Sequence, residues 1–497
     1  MQHVNVNVQQ KKQTNQSNTM SSSCLHAIKL LNLKENEIIP HRFLLLKGIV
    51  EGQKCGEPEN VSLDIENTPQ LASSDSSSGK FKFLLDLGVE KRTIDIKIKY
   101  CNALLELQFE YKPKCCNYAL QPLLIIAQDE NSNDDRVELY RQIIDLNLLL
   151  IQSVYAEKLN ERSYGRLCFC FKDQCQVFVS SLRKEEIWQK SEHDLWSHFA
   201  KEILLSKWGQ EDSQLKFVAF INCSRYLSDE VVQTQDFSYE NIRKHIQGHA
   251  ACGAGGLALF SCTYFYAWPC KFDETLQCFE DKRKLDLTKE PDESNYRKTR
   301  GGVYASSLGA VCHEIGHIFD LGHDLEGVMG TNFDYINNVF IINTMTEHLP
   351  HRIVQQKSNV AKPRFTQLKK TAANGFLDCY REQKENDSFY FSPNSAIILA
   401  HHPWLSDTAS EVAAIDNNDF DVDFAEDKLS LVATKYSLKI IEIRTNINSV
   451  VAEWFEFQKH QQQPVFQFDI RKFQNRLKKD CHIFVMSSRG HIKKLFI

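Results

Sequence analysis

The chain has 497 residues, well past the length at which one hydrophobic core keeps growing, so two or three folding units are expected. A formal net charge of −5 with scattered Lys and Arg argues against a nucleic-acid partner. With 42 % hydrophobic and 25 % charged residues the composition is that of an ordinary globular protein, and no apolar run is long enough to span a bilayer.

In chain order, residues 1–22 are rich in Gln, Asn and Ser and are expected to be a disordered tail. They lack the apolar run of a secretory signal, so a cytoplasmic location is expected. The sixteen cysteines show no paired C-x-x-C spacing and are expected to be reduced. Residues 23–114 read as a β-rich unit. Phe43–Val50 and Phe81–Leu85 are apolar runs. Ile94, Ile96 and Ile98 alternate with polar residues, as do Leu105, Leu107, Phe109 and Tyr111, the period of half-buried strands. The Ser-rich stretch Leu71–Gly79 reads as a surface loop.

Residues 115–405 mix both periodicities and read as the α+β unit that carries the chemistry. Leu123–Ala127 and Phe217–Ile221 are short apolar strands. Arg136–Arg162 is a long helix preceded by the capping candidates Asp134 and Asp135, and Ser180–Trp208 carries a second helical pattern. The charged stretch from Lys271 to Gly302 reads as an exposed insertion. Residues 406–428 form an acidic linker that lacks the glycine and terminal glutamate of a calcium loop, and residues 429–497 return to strand signals as a β module.

The chemistry is concentrated in Gly309–Asp324. On a helix, His313 and His317 lie one turn apart on one face and can grip one ion. Neutral imidazole is a preferred zinc ligand. Glu314, beside the first ligand, is placed to act as general base on the attacking water. On a continuing helix the Cα of His323 would lie roughly 9 Å beyond that of His317, too far to ligate, so the chain must turn between them. Gly322 offers freedom for that turn, and Asp320 is a residue type that tolerates positive φ. Three protein ligands with one open position is the pattern of a catalytic zinc site.

The segment HEIGHIFDLGHD resembles the metzincin motif HExxHxxGxxH, with Asp320 at the glycine position, and Gly327–Gly330 resembles the Met-turn. The resemblance implies His313, His317 and His323 as ligands of one Zn(2+), Glu314 as base and Met329 as the supporting methionine. Together with Gly248–Phe260, Gly327–Phe340 and Phe391–Leu405, the motif is also similar to a eukaryotic family of zinc metallopeptidases, some of whose members end in a jacalin-like domain. The implied architecture is α+β: a metzincin-like catalytic domain flanked by N-terminal and C-terminal β-rich modules. The implied partner is a peptide or protein substrate, with glycan binding by a jacalin-like C-terminal module. By the same resemblance, Gly255, Gly256, Leu257, Ala258 and Leu259 are candidates for the edge strand that pairs with substrate, against a buried core strand.

Of the remaining candidates, Asp324 reads either as a partner orienting a ligand histidine or as a solvated turn carboxylate. Tyr335 reads as a core tyrosine more readily than as an oxyanion donor, and Cys312 as packed away from the ligands. His348, His351, His401 and His402 fall outside ligand spacing. Within enzymes the alternative is a site in which Glu347 replaces His323. Outside them it is a catalytically silent, zinc-stabilised scaffold or carbohydrate-binding protein.

Overall fold

A computed structural model of the chain describes residues 25–52, 60–211, 214–342, 389–406, 420–425, 428–433, 436–457, 465–469 and 481–496. The expected N-terminal tail, Glu347, His348, His351 and most of the acidic stretch lie outside them. The fold is α+β, with sheet-rich N-terminal and C-terminal regions flanking a central sheet layered with helices.

In spatial order the central sheet runs Cys170–Phe171, Ala119–Ile126, Leu215–Ile221, Leu257–Ser261 and Ala251–Ala254, with Gln176–Val179 also pairing with Ala119–Ile126. Its pairings are parallel except the last, where Ala251–Ala254 runs antiparallel to Leu257–Ser261. Successive strand residues feed two cores. Leu124, Phe220 and Phe260 join the helices Asp135–Glu161 and Arg300–Ile318 on one face. Leu123, Ala219 and Leu259 meet Leu195, Phe199 and Ile203 of Glu192–Leu205 on the other. Both faces are covered, which is why these strands, Gln121, Lys216 and Ser261 excepted, are apolar throughout instead of alternating. The long helix starts where expected, with the Asp134 carboxylate accepting from the Arg136 N–H at 2.9 Å. The second helical pattern divides into Lys184–Gln189, Glu192–Leu205 and Lys207–Glu211, because Ser191 caps a fresh start.

The N-terminal region forms two four-stranded sheets over a shared core that includes Phe81, Ile96 and Phe109. The Ser-rich stretch is not wholly a loop. Gln70–Asp75 is the edge strand of one sheet, where a single neighbour tolerates polar residues, and the loop is confined to the turn at Asp75–Gly79. The charged stretch from Lys271 to Gly302 is also more than an exposed insertion. It holds the helix Thr275–Phe279, whose Phe279 stacks on Tyr304 at 4.2 Å, and a buried Arg297 that donates to the Asp334 carbonyl at 2.6 Å. Part of its charge, Arg297 above all, is bound internally, which composition does not reveal.

The C-terminal region contributes one sheet of Val451–Glu456, Leu438–Thr445, Cys481–Ser487 and Ile492–Phe496, and another of Phe420–Ala425, Lys428–Ala433 and Val465–Asp469. Part of the expected acidic linker is therefore strand, consistent with the alternation of Phe420, Val422 and Phe424 with Asp421 and Asp423. Among the described residues no helix is long and apolar enough to cross a membrane.

Candidate metal centre

The helix Arg300–Ile318 begins at Thr299, whose hydroxyl accepts from the Gly302 N–H at 3.1 Å, and carries His313, Glu314 and His317 in its last two turns. Its end has a definite chemistry. Asp320 adopts φ +64°. The Asp320 N–H donates to the His317 carbonyl and the Leu321 N–H to the Gly316 carbonyl, both at 3.1 Å. This is the Schellman arrangement, and buried Leu321 supplies its apolar contact. The turn expected between His317 and His323 is thus made at Asp320. Gly322 serves a different need from the one expected, having no positive φ. A Cβ there would lie 2.8 Å from the Ser449 carbonyl oxygen and 2.9 Å from Val451, so the position must be small.

The turn brings three imidazoles together. The Nε2 atom of His317 lies 3.1 Å from that of His313 and 3.0 Å from that of His323. Each Nδ1 faces a main-chain carbonyl: Val328 at 2.7 Å for His313, Leu321 at 3.0 Å for His317 and Asn448 at 2.6 Å for His323. A carbonyl only accepts, so each Nδ1 carries the hydrogen and each Nε2 presents a lone pair. Three lone pairs then converge with no donor among them, an arrangement that calls for a cation. Zn–N bonds of 2.0–2.1 Å in a tetrahedron would set the nitrogens about 3.3 Å apart, close to the spacing found. Burial lowers all three pKa values, that of His313 to about 3, so the ring nitrogens stay neutral and available. His313 is buried while His317 and His323 keep partial exposure, leaving one side of the cluster open.

Glu314 sits between this cluster and the sheet. The Gly253 N–H donates to Glu314 Oε2 at 2.7 Å, and the Ala251 N–H donates to Glu192 Oε1 at 2.6 Å. The Ser261 N–H bonds the Ala250 carbonyl, so by antiparallel alternation the main-chain groups of Ala251 and Gly253 point away from the sheet. The expected edge strand is therefore displaced. Leu257, Ala258 and Leu259 lie in an interior strand paired on both sides, and Gly255 and Gly256 form the turn before it. The free edge is Ala251–Ala254. It lies against the metal helix so closely that a Cβ on Gly253 would sit 2.2 Å from the Glu314 carbonyl oxygen. Burial pushes the Glu314 carboxyl up to about 8, the Gly253 hydrogen bond opposing and the Glu192 charge reinforcing that shift.

Met329 is buried beneath the helix at Gly316, where a Cβ would meet its sulfur at 2.5 Å. Asp324 neither orients a histidine nor sits free in solvent. Its carboxylate accepts from Ser392 Oγ at 2.5 Å, Ser395 Oγ at 2.8 Å and Asn394 Nδ2 at 3.0 Å. These residues open the helix Pro393–His401, whose N-terminus favours an anion. Tyr335 is a core residue beneath the Arg297 guanidinium, 5.3 Å from its ring, and Cys312 is fully buried. His402, read as structural, pairs with Asp320 at 3.5 Å, and Lys494 reaches the same carboxylate at 2.7 Å. Burial would raise Asp320, but His402, Lys216 and Lys494 reverse this and hold it far below the usual carboxylate range. Glu192 and Asn448 carried no signal in the sequence, since each acts through one main-chain group distant along the chain.

Three neutral imidazoles, with a carboxylate next to the first of them on the helix and held by a strand edge, make a site suited to a metal-dependent hydrolase. The chain belongs to the Metallopep family, described as "Putative peptidase family", whose sequence profile matches residues 27–395. It is 31 % identical over 102 residues to a Saccharomyces cerevisiae protein named as a putative zinc metalloproteinase. That match spans 20 % of this chain and 15 % of the yeast protein. Among solved structures, wild-type OgpA from Akkermansia muciniphila aligns with a TM-score of 0.42 at 12 % identity, over 77 % of this chain and 94 % of that one. Catalytically inactive OgpA in complex with the O-glycopeptide substrate glycodrosocin gives the same score and identity over 77 % and 93 %.

Proposed function

We propose that the chain is a zinc-dependent endopeptidase of metzincin type, with His313, His317 and His323 holding the ion and Glu314 as general base. The observation that carries this reading is the convergence of three Nε2 lone pairs, each fixed by a carbonyl on its Nδ1, beside a carboxylate. Zinc, when bound, supplies Lewis acidity toward a carbonyl oxygen and toward water. Met329, packed under the helix at Gly316, supports the floor of the site.

The remaining chemistry belongs to the chain. Glu314 Oε2 is engaged by the Gly253 N–H, which orients the carboxylate and leaves Oε1 to take the proton of the attacking water. The same oxygen then delivers that proton to the leaving amine nitrogen as the peptide C–N bond breaks. An extended peptide laid along Ala251–Ala254 would donate its N–H groups to the outward carbonyls of Ala251 and Gly253. That would set the scissile bond beside Glu314, because Gly253 touches it.

The test is Glu314→Ala beside the wild type, with zinc content and peptide-library cleavage measured on both. Zinc should stay near one per chain while turnover falls by roughly 10²–10⁴-fold or more. Undiminished cleavage by the variant would remove Glu314 from the base role.

A further inference from the structure

His323 differs from the other two imidazoles in what holds it. His313 and His317 are anchored by the helix they sit on and by carbonyls of the loop that follows it. His323 is anchored by the C-terminal hairpin of Leu438–Thr445 and Val451–Glu456. Its N–H donates to the Ser449 carbonyl at 3.0 Å, and its carbonyl accepts from the Val451 N–H at 2.9 Å. Its ring Nδ1–H points to the Asn448 carbonyl at 2.6 Å. Residue 323 is in effect an added strand position, bridged in parallel to Val450.

Around this contact the two regions leave each other no slack. Gly322 has no room for a Cβ against Ser449, Val451 and Arg444. The buried Arg444 guanidinium donates to the Asp320 carbonyl at 2.8 Å, at the turn that redirects the chain toward His323. Arg444 is in turn held by Glu442 at 2.6 Å, and Glu442 accepts from Asn394 Nδ2 at 2.8 Å, the same amide that binds Asp324. The tip of the hairpin is shaped for the task, with Asn448 at φ +71° and Ser449 at φ +47° aiming their carbonyls at one residue. The hairpin side of these contacts, Glu442, Arg444 and Asn448–Val451, lies beyond residue 395, where the match to the family ends.

We propose that the hairpin Leu438–Glu456 is a working part of the metal centre: it positions His323 and fixes its tautomer, so zinc affinity depends on an element outside the family-matched region. The proposal rests on the ligand set proposed above. Asn448 and Val451 are positioning residues, acting through the His323 imidazole. A partner that orients a ligand histidine in this way typically governs metal affinity by about 10–100-fold.

The experiment uses the full chain and four variants, reading zinc affinity by chelator competition and the visible spectrum of the cobalt-substituted protein. Asn448→Pro cannot adopt positive φ and must move the carbonyl, whereas Asn448→Gly removes the same side chain and keeps the conformation. Val451→Pro deletes the N–H that donates to the His323 carbonyl, on a strand at the sheet edge, where proline is tolerated, and decides the matter should Asn448→Pro not fold. His323→Ala serves as reference. The expected result is wild-type affinity and spectrum for Asn448→Gly, with about 10–100-fold weaker binding and an altered cobalt spectrum for both proline variants. Wild-type affinity and spectrum in a folded Val451→Pro, alongside loss of metal in His323→Ala, would overturn the role of the hairpin and leave the ligand set standing. Undiminished zinc in His323→Ala would instead overturn the ligand set, and this proposal with it.

Discussion

Asp320 occupies the position where the motif it resembles has glycine, and its backbone takes the left-handed conformation that a glycine would supply. That conformation costs an ordinary L-residue about 1–2 kcal/mol and costs Asp less. The carboxylate adds what glycine could not, a shared acceptor for buried His402 and for Lys494. Two effects are thus superimposed at one residue, and substitutions can separate them. Asp320→Ala should destabilise the protein by roughly 2–3 kcal/mol, losing both the pairing and the favourable backbone, while Asp320→Gly should recover about 1 kcal/mol of that. Urea unfolding of the two variants measures the difference, and equal losses would show that the backbone conformation is not what the position demands. At this scale much was legible. The i, i+4 spacing of His313 and His317 fixes a shared face, and the tolerance of Asp for positive φ marks where the chain could turn. The acceptors on the far side of the three imidazoles were not legible. Asn448 contributes only a carbonyl, identical in every residue type, from 125 positions away.

Strands read well where burial dictated their composition and poorly where it did not. Leu257–Ser261 announces itself by its apolar run, and the same run, buried at every position, shows why it is interior and not an edge. The true edge, Ala251–Ala254, reads Ala-Cys-Gly-Ala, with no β-branched residue and no alternation to mark it. It is a strand because its neighbour and the helix Arg300–Ile318 make it one. The helix approaches so closely that only glycine fits at 253. Gly253→Ala therefore forces the edge and the Glu314 backbone apart and weakens the bond that aims the carboxylate. A displacement near 1 Å at a reacting group costs about 10²-fold in rate, so kcat/KM should fall by roughly that factor with zinc content unchanged. Wild-type kinetics in this variant would mean that the strand does not position Glu314. The segment Gln70–Asp75 follows the same logic from the polar side. Its serines suggested a loop, yet an edge strand with one neighbour accommodates them.

Across the whole molecule, acids raised by full or partial burial shape how stability depends on pH. Glu293, from the stretch that composition alone marks as exposed, is pushed up to about 7 by burial, with Arg243 and the Tyr264 hydroxyl opposing that shift and Asp334 and Asp292 adding to it. Asp145 and Asp334 are each raised to about 6, again chiefly by burial. For an acid with a raised folded pKa, the stability it allows is fully present below its unfolded value and is lost as pH rises through the folded one. For Glu293 that window runs from 4.5 to about 7. His482, lowered to about 4 by burial and by Arg444 and Lys494, works in the opposite sense, removing stability as pH falls below its ordinary 6.5. The two windows overlap and oppose one another up to about pH 6.5, and above it Glu293 continues to lose stability as pH rises through about 7. Glu293→Gln isolates one contributor to the decline, because the amide still accepts from the Tyr264 hydroxyl, 2.9 Å from the carboxylate in the wild type, but never ionises. Measured with excess chelator, so that proton-linked metal binding does not enter, the variant should match or fall slightly below the wild type near pH 5. By pH 8 it should exceed the wild type by on the order of 1–2 kcal/mol, partial exposure of the residue holding the effect below that of full burial. A difference that stays flat across this range would mean that Arg243 keeps Glu293 ionised throughout, and that the alkaline decline belongs to Asp145 and Asp334.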